Sequence, residues 1–295
     1  MPVLGGLKIL RYEVDLILTL WDRSAGHISY NRQIIPRILH FINYPVNVIV
    51  QFDRPSPENH DHFKNLLESG VINKLTIPEL VSGHRPQDIN RIFLQAFRHI
   101  ESPWVLHFDG DMFFYRNGYD DWLPRFIKII ESRYLNIGAI SHTMPYNHYN
   151  PIKDTFELRR QSIKWVSTRF FITEAETVLE AMDDSLREKD INFEGVMWQR
   201  RLARLGLNCY TIPFNPDFLI VHVIGLHQWT DNRWEEYENA IKNRNETLLK
   251  NISHSDWGDL AGNAEDIRVQ EYWGHGTWQT EGNEGEMVNL LEVNL

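Results

Sequence analysis

Two acids near the middle of the chain have the side-chain types and spacing for metal chemistry. Asp109 and Asp111 flank Gly110 and directly follow the apolar run of residues 104–108. A short apolar run of this kind predicts a buried strand, and ligands of open α/β sheets bind at the carboxyl ends of such strands. Carboxylate oxygens favour hard divalent cations, which neutralise the charge of a diphosphate. The segment therefore predicts an Mg²⁺ or Mn²⁺ site in an enzyme that handles a nucleotide-linked substrate.

The elements around this pair alternate between strand-like and helix-like patterns. Apolar runs rich in β-formers predict strands over residues 14–20, 46–52, 74–77, 104–108, 137–141, 168–173, 207–212 and 218–223. Apolar residues at helical spacing predict helices over residues 31–42, 57–69, 88–100, 121–133, 174–182, 196–205 and 234–249. This order predicts an α/β fold with a mostly parallel central sheet and helices on both faces. A long loop is expected over residues 23–30, and another, rich in Asn, Pro, Tyr and His, over residues 142–154.

Composition narrows the classes of protein that the chain can represent. Of its 295 residues 42% are hydrophobic and 24% are charged, which is ordinary for a globular protein. The net charge of -10 argues against nucleic acid and anionic membranes as partners, because both would be repelled. No run has transmembrane length and no signal-peptide core is recognisable, so a cytoplasmic protein is expected. Cys209, the single cysteine, excludes a disulfide framework within one chain and is expected to be a buried strand thiol.

The order of elements, taken with the acid pair, resembles the GT-A glycosyltransferases and most closely their family 2-like members. The resemblance covers residues 12–227 and rests on several ordered segments. The family's first strand, second strand and helix before the metal-binding strand are resembled by residues 18–23 (LTLWDR), 48–53 (VIVQFD) and 88–91 (DINR), respectively. Asp109-Gly110-Asp111 matches the family's DxD motif. Glu194 begins a pattern with Arg201 and Gly206 at the family's offsets, and His222 follows the last strand.

This resemblance implies a metal-dependent glycosyltransferase that moves a sugar from a nucleotide-sugar, a UDP- or GDP-sugar, to a hydroxyl of a glycan, polysaccharide or glycoconjugate. It implies metal ligands at Asp109, Asp111 and His222, with Mn²⁺ or Mg²⁺ as the cofactor. The candidate general base is Glu194, because its carboxylate could deprotonate the acceptor hydroxyl. The resemblance also implies that the donor is bound by Asp22, Arg23, Asp53, Asn90, Arg91 and Asp109. A catalytic domain over residues 1–230 is expected, with a nucleotide-binding half (about 12–115) and an acceptor half (about 116–230). Residues 231–295 are expected to form a helical or irregular appendage.

One departure from the family pattern leaves the chemistry open. The family places an Asp after the Glu at position 194, and in inverting members that Asp is the general base, whereas this chain has Gly195. Inversion and retention at the sugar carbon therefore both remain possible, with Glu194 as the substitute base. A degenerate GT-A protein that only binds carbohydrate is the corresponding non-enzyme alternative.

Two other enzyme classes share parts of the pattern. A phosphatase of the haloacid-dehalogenase type also uses Asp-x-Asp after a strand, here Asp109 and Asp111, but usually on the first strand. A sugar nucleotidyltransferase has the same architecture but needs a glycine-rich basic loop after the first strand, whereas Gly5-Gly6 precedes it.

Several candidate residues also have simple structural interpretations. Asp53 can form a turn before Pro55, Glu194 can stabilise a helix N-terminus, and His222 can be an ordinary strand histidine, with His227 as the competing ligand. Aromatic residues of the final third and of the loop 142–154 can contact a sugar, although core packing explains most of them.

Overall fold

The structure is a computed structural model that describes residues 13–78, 93–143, 157–160, 169–187, 201–223, 230–249 and 287–289. The strands are β1 (Val14–Trp21), β2 (Asn47–Asp53), β3 (Lys74–Thr76), β4 (Trp104–Asp109), β5 (Met112–Arg116), β6 (Ile137–Thr143), β7 (Glu157–Arg160), β8 (Phe170–Glu174), β9 (Asn208–Ile212), β10 (Phe218–His222) and β11 (Met287–Asn289). The α-helices are α1 (Ala25–Ile42), α2 (Pro57–Glu68), α3 (Trp122–Glu131), α4 (Ala175–Arg187) and α5 (Arg233–Lys242). Residues 93–97 are also helical, and a short 3₁₀ turn (Tyr134–Asn136) precedes β6.

Nine of these strands form one sheet in the order β11-β7-β9-β6-β8-β4-β1-β2-β3. The block β4-β1-β2-β3 is entirely parallel. Strand β8 is antiparallel to both β4 and β6, β9 is parallel to β6, and β7 is antiparallel to β9 and β11. Only β7 and β8 therefore run against the common direction. The mostly parallel α/β sheet predicted from the sequence is confirmed, with antiparallel pairings confined to the half beyond β4.

The register of the parallel block brings its carboxyl ends to one edge. Thr19 of β1 lies beside Gln51 of β2 and beside Asp109 of β4, and Trp21 lies beside Asp53. The residues that follow these strands therefore meet at the same edge, where open α/β sheets bind ligands.

Helices cover both faces of the sheet, as predicted. Alternate residues of β1 point in opposite directions, so Leu16 and Leu18 join one buried apolar cluster and Ile17 joins the other. The first cluster includes the buried faces of α1, α3 and α5, and the second includes residues 93–97 and α4. Both faces of β1 are thus buried, which explains the continuous apolar run that predicts it.

Helix α1 begins earlier than predicted. We expected a loop over residues 23–30, but the helix starts at Ala25 because Ser24 caps it. Ser24 has an extended backbone, and its hydroxyl accepts a hydrogen bond from the His27 amide at 3.4 Å. The helix ends at Ile42, where Asn43 adopts the left-handed conformation with φ 49°.

A second small sheet, which the sequence did not predict, forms directly after the acid pair. Strand β5 pairs antiparallel with β10, and in this register Met112 lies opposite His222. Helix α5 packs against this sheet, with the Trp234 ring 5.1 Å from Phe113 and 5.0 Å from Phe114. Part of the segment expected as an appendage thus contributes to the core, while the division at residue 230 stays a prediction.

Among the described residues, no helix combines the length and apolar character needed to cross a lipid bilayer.

Candidate functional site

The acid pair occupies a tight turn between β4 and β5 at the carboxyl edge of the sheet. The Gly110 amide donates a hydrogen bond to the Thr19 carbonyl at 2.7 Å, which holds the turn against β1. A Cβ atom on Gly110 would lie 3.0 Å from that carbonyl oxygen and 3.1 Å from Leu20 Cδ2. Glycine at this position therefore allows the close approach of the turn to β1, and that approach leaves Asp109 and Asp111 largely buried.

Asp111 lies in a buried charged group with His222 and Arg169. The distance from Asp111 Oδ2 to His222 Nε2 is 2.9 Å, and the distance from Asp111 Oδ2 to Arg169 Nη1 is 2.5 Å. Arg169 Nη1 also lies 2.6 Å from His222 Nε2. Three polar atoms, from the residue before β8, the β4–β5 turn and the end of β10, thus converge within hydrogen-bond distance of one another.

The surroundings set the charges of this group. Burial alone would raise the pKa of Asp111, but Arg169 and His222 offset burial and hold the pKa well below that of an ordinary carboxyl. Burial, followed by the Arg169 charge, lowers the pKa of His222, while Asp111 opposes that shift. Both shifts favour the forms that bind metals, which are the ionised carboxylate and the neutral imidazole.

Asp109 is oriented by a separate hydrogen-bond network. The Thr19 hydroxyl donates to Asp109 Oδ1 at 2.7 Å and lies 2.7 Å from Nε2 of the fully buried His107. Because β1 and β4 are adjacent and parallel, Thr19 and Asp109 are direct neighbours. Thr19 and His107 therefore fix the direction of the Asp109 carboxylate.

The two candidates at the end of β1 have different surroundings. Asp22 accepts hydrogen bonds from the Asn31 and Asn59 side-chain amides at 2.9 and 3.0 Å, and from the Ser56 backbone amide at 2.7 Å. It thereby ties β1 to α1 and α2. Arg23 is exposed, and its guanidinium carbon lies 5.2 Å from the centroid of the Trp21 ring. The donor contact expected of both residues stays a prediction.

Asp53 is the last residue of β2, at the same edge of the sheet. Its side chain is 29% exposed, and its Oδ1 lies 3.7 Å from Nε of the exposed Arg54. Arg54 has a left-handed backbone with φ 53°, which turns the chain away from the strand. Asp53 is thus partly exposed at the edge where open α/β sheets bind ligands, and its nucleotide contact stays a prediction.

Several candidates lie outside the described residues. These are Asn90, Arg91, Glu194, the neighbouring Gly195, His227 and most of the loop 142–154. Their expected roles stay predictions.

Arg169 is the residue of this site that sequence reasoning missed. It stands just before the apolar strand β8, where the sequence gives no spacing that links it to the acid pair. The antiparallel pairing of β8 with β4 brings it there, and the Asp109 amide donates to the Arg169 carbonyl at 2.7 Å. The sequence signal for Arg169 is an arginine directly before the buried strand that pairs with β4.

The residues present fit a divalent cation in part. The 2.9 Å between Asp111 Oδ2 and His222 Nε2 is close to the separation of two adjacent ligands on one ion, about 3.0 Å for bonds of about 2.1 Å. Asp111 Oδ1 is buried and has no hydrogen-bond partner among the described residues, which leaves a carboxylate oxygen able to bind a cation. No group of three His, Cys, Asp or Glu side chains suited to a metal comes together in the described parts of the chain. Asp111 and His222 therefore lie close enough to bind one cation together, whereas Asp109 Oδ1 is directed towards the Thr19 hydroxyl.

A cavity of about 530 Å³ lies between α1, β5 and α5. Its cationic side chains include Lys242. Three others form ion pairs: Arg32 with Glu58, Arg37 with Glu235 and Arg116 with Asp120. These pairs neutralise charges that a cationic pocket would offer to an anionic ligand.

Comparison with known proteins yields fold likenesses only. No protein-family model matches the chain, and no curated protein matches it significantly. Similar solved structures include the mannosyltransferase PcManGT from Pyrobaculum calidifontis in complex with GDP-Man and Mn²⁺, with 16% identity over 70% of this chain and a TM-score of 0.46. The chain spans 57% of the length of that mannosyltransferase.

Two further likenesses are to S. aureus TarS and a T. maritima enzyme. TarS residues 1–349 in complex with UDP-GlcNAc share 11% identity over 82% of this chain and 71% of that one, with a TM-score of 0.41. The inositol-1-phosphate CTP transferase from T. maritima shares 11% over 79% of this chain and 97% of that one, with a TM-score of 0.45. At these TM-scores the likenesses assign no activity. The strand order itself shows an α/β fold with a mostly parallel sheet, in which Asp109 ends β4 and Asp111 follows two residues later.

Proposed function

We propose that the protein is a metal-dependent glycosyltransferase that moves a sugar from a nucleotide-sugar donor to a hydroxyl acceptor. The observation that supports this most strongly is the buried Asp111. It lies 2.9 Å from His222, and its Oδ1 has no partner among the described residues at the carboxyl edge of the sheet. A largely buried carboxylate with such an oxygen is costly unless a cation or a donor group satisfies it.

The proposed site divides the work among its residues. Asp111 and His222 would hold the divalent cation, and Asp109, oriented by Thr19, is the third proposed ligand. The cation, when bound, stabilises the negative charge of the departing nucleoside diphosphate. Asp53 contacts the nucleotide, and Asp22, Arg23, Asn90 and Arg91 lie along the donor.

The reaction breaks one bond at the sugar and one at the acceptor. The bond from the anomeric carbon to the diphosphate oxygen breaks, and its electron pair leaves with the nucleoside diphosphate. The acceptor oxygen forms the new bond to the anomeric carbon and loses its proton, for which we propose Glu194 as the base. Replacing Glu194 with Gln should preserve donor binding and abolish transfer if this assignment is right.

A thermal-shift experiment tests the donor site. Purified protein is heated with UDP, GDP, CDP or TDP, each with and without Mn²⁺, because a ligand that binds only the folded state raises the melting temperature. We expect one nucleotide to raise the melting temperature only when Mn²⁺ is present. No shift with any of the four would overturn the proposal.

Matched variants locate the effect. Asp111→Asn should lose the Mn²⁺-dependent shift, whereas Asp61→Asn should keep it, because Asp61 is 81% exposed on α2. A product assay with the sugar nucleotide of the responding base then separates activities. Release of nucleoside diphosphate with sugar transfer or hydrolysis supports the proposal, whereas release of pyrophosphate from a nucleoside triphosphate and a sugar phosphate would indicate a nucleotidyltransferase and contradict it.

A further inference from the structure

The guanidinium of Arg169 lies against both atoms that the proposed function assigns to the metal. Nη1 lies 2.5 Å from Asp111 Oδ2 and 2.6 Å from His222 Nε2. The single lone pair of a neutral imidazole Nε2 cannot accept from Nη1 and bind a metal cation at the same time, and the two cations would repel each other. Arg169 and a divalent cation therefore cannot both hold Asp111 and His222 in this arrangement.

We propose that Arg169 is an internal cation that holds Asp111 and His222 in the metal-free protein, yields these ligands to the divalent ion, and then binds the diphosphate of the donor. The inference rests on the proposed function, because it uses the same metal ligands. It gives Arg169 two successive roles: it holds Asp111 and His222 in the free protein, and it binds the diphosphate in the donor complex.

The charges explain why an arginine belongs at this position. Asp111 is largely buried, and a buried carboxylate needs a cationic or hydrogen-bonding partner. Arg169 supplies that charge without metal, so the site stays folded before the cation arrives. The apo protein thus avoids a buried uncompensated charge.

The structure also allows the guanidinium to move while its backbone stays in place. The Asp109 amide donates to the Arg169 carbonyl at 2.7 Å, which fixes the main chain beside the acid pair. The Arg169 side chain is 26% exposed, whereas those of Asp111 and His222 are each 12% exposed. The Arg169 side chain is therefore the most exposed of the three.

A displaced guanidinium at this edge suits a diphosphate. Arginine presents a planar set of N–H donors that binds phosphate oxygens through two parallel hydrogen bonds, and lysine offers only a point charge. Because the Arg169 backbone stays beside Asp109, the freed head group remains within reach of a diphosphate held by the metal.

The test measures two affinities that should change in opposite directions. Mn²⁺ affinity is measured without nucleotide by electron paramagnetic resonance of free Mn²⁺, and affinity for the responding nucleoside diphosphate is measured at saturating Mn²⁺. Arg169→Gln should bind Mn²⁺ about tenfold more tightly, since the competing charge is gone, and should bind the nucleotide about tenfold more weakly. Arg125→Gln on the surface of α3 is the control and should change neither.

Each result has one consequence. Unchanged Mn²⁺ affinity in Arg169→Gln overturns the competition, and unchanged nucleotide affinity overturns the diphosphate contact. Loss of both affinities indicates a purely structural residue and also overturns the inference. If the wild type binds Mn²⁺ through Asp111 and Arg169→Gln has the same Mn²⁺ and nucleotide affinities as the wild type, only this inference fails. If the wild type binds no Mn²⁺, the proposed function fails with it.

Discussion

The buried hydroxyl of Thr19 is the sharpest test of how the fold positions Asp109. Valine has nearly the same shape as threonine, so Thr19→Val removes two close polar contacts, to Asp109 Oδ1 and to His107 Nε2, each at 2.7 Å. Thr19 is 5% exposed and His107 is fully buried, so water does not readily replace the lost hydroxyl. We therefore expect a cost in stability well beyond that of an ordinary surface substitution.

The magnitude follows from the two contacts. A hydrogen bond to a charged group contributes about 1.5–3 kcal/mol and a neutral one about 0.5–1.5 kcal/mol. The added methyl group of valine returns up to about 0.8 kcal/mol of hydrophobic stabilisation. The net loss in the free energy of unfolding should be about 2–3 kcal/mol.

The assay is urea unfolding followed by tryptophan fluorescence, with Thr173→Val as the matched control. Thr173 is a fully buried strand threonine whose hydroxyl donates one hydrogen bond, to the Gly138 carbonyl at 2.8 Å, so its loss should be no more than about 1 kcal/mol. Thr19→Val should also weaken Mn²⁺ binding, because Asp109 loses the group that orients it. Equal free energies of unfolding for the two variants would refute the network around Asp109.

Three further predictions address packing, thiol reactivity and the donor site. Gly138→Ala should destabilise the fold by about 1–3 kcal/mol because its Cβ would lie 2.7 Å from Leu207 Cβ and 2.8 Å from Leu207 Cδ1. The double variant with Leu207→Gly, which lacks both atoms, should lose less in urea unfolding than the sum of the two singles. Burial raises the pKa of the Cys209 thiol. A disulfide reagent at pH 8 should therefore leave the folded protein unmodified and should react with the thiol once urea unfolds the protein. Rapid labelling of the folded protein would contradict the buried position. Asp53→Ala should weaken binding of the responding nucleotide about tenfold. The melting temperature without ligand should change little, since Asp53 is partly exposed. Unchanged nucleotide affinity would show that Asp53 does not contact the nucleotide.

The sequence predicts those parts of the fold that depend on local patterns. The apolar run before Asp109 is a strand buried on both faces, so its type and its end are both visible in the residues. The start of α1 differs from the prediction because Ser24 caps the helix ahead of the residues whose apolar spacing predicts it.

The remainder of the site depends on contacts between distant segments. Residues 111 and 222 meet because β5 pairs with β10, and β5 follows so closely on the acid turn that its five residues look like a continuation of β4. Arg169 reaches Asp111 through the antiparallel pairing of β8 with β4. Periodicity within one segment carries no information about such pairings.

Direct measurement of Mn²⁺ binding tests the central claim most simply. Free Mn²⁺ is titrated by electron paramagnetic resonance against the wild type, Asp111→Asn, His222→Asn and the surface control Asp61→Asn, with no nucleotide present. We expect one Mn²⁺ site in the wild type and in the control, and a loss of affinity of at least about tenfold in the other two variants, because each removes a ligand or its charge. Equal affinity in all four proteins would show that any cation binds elsewhere, and would contradict a metal site at Asp111 and His222.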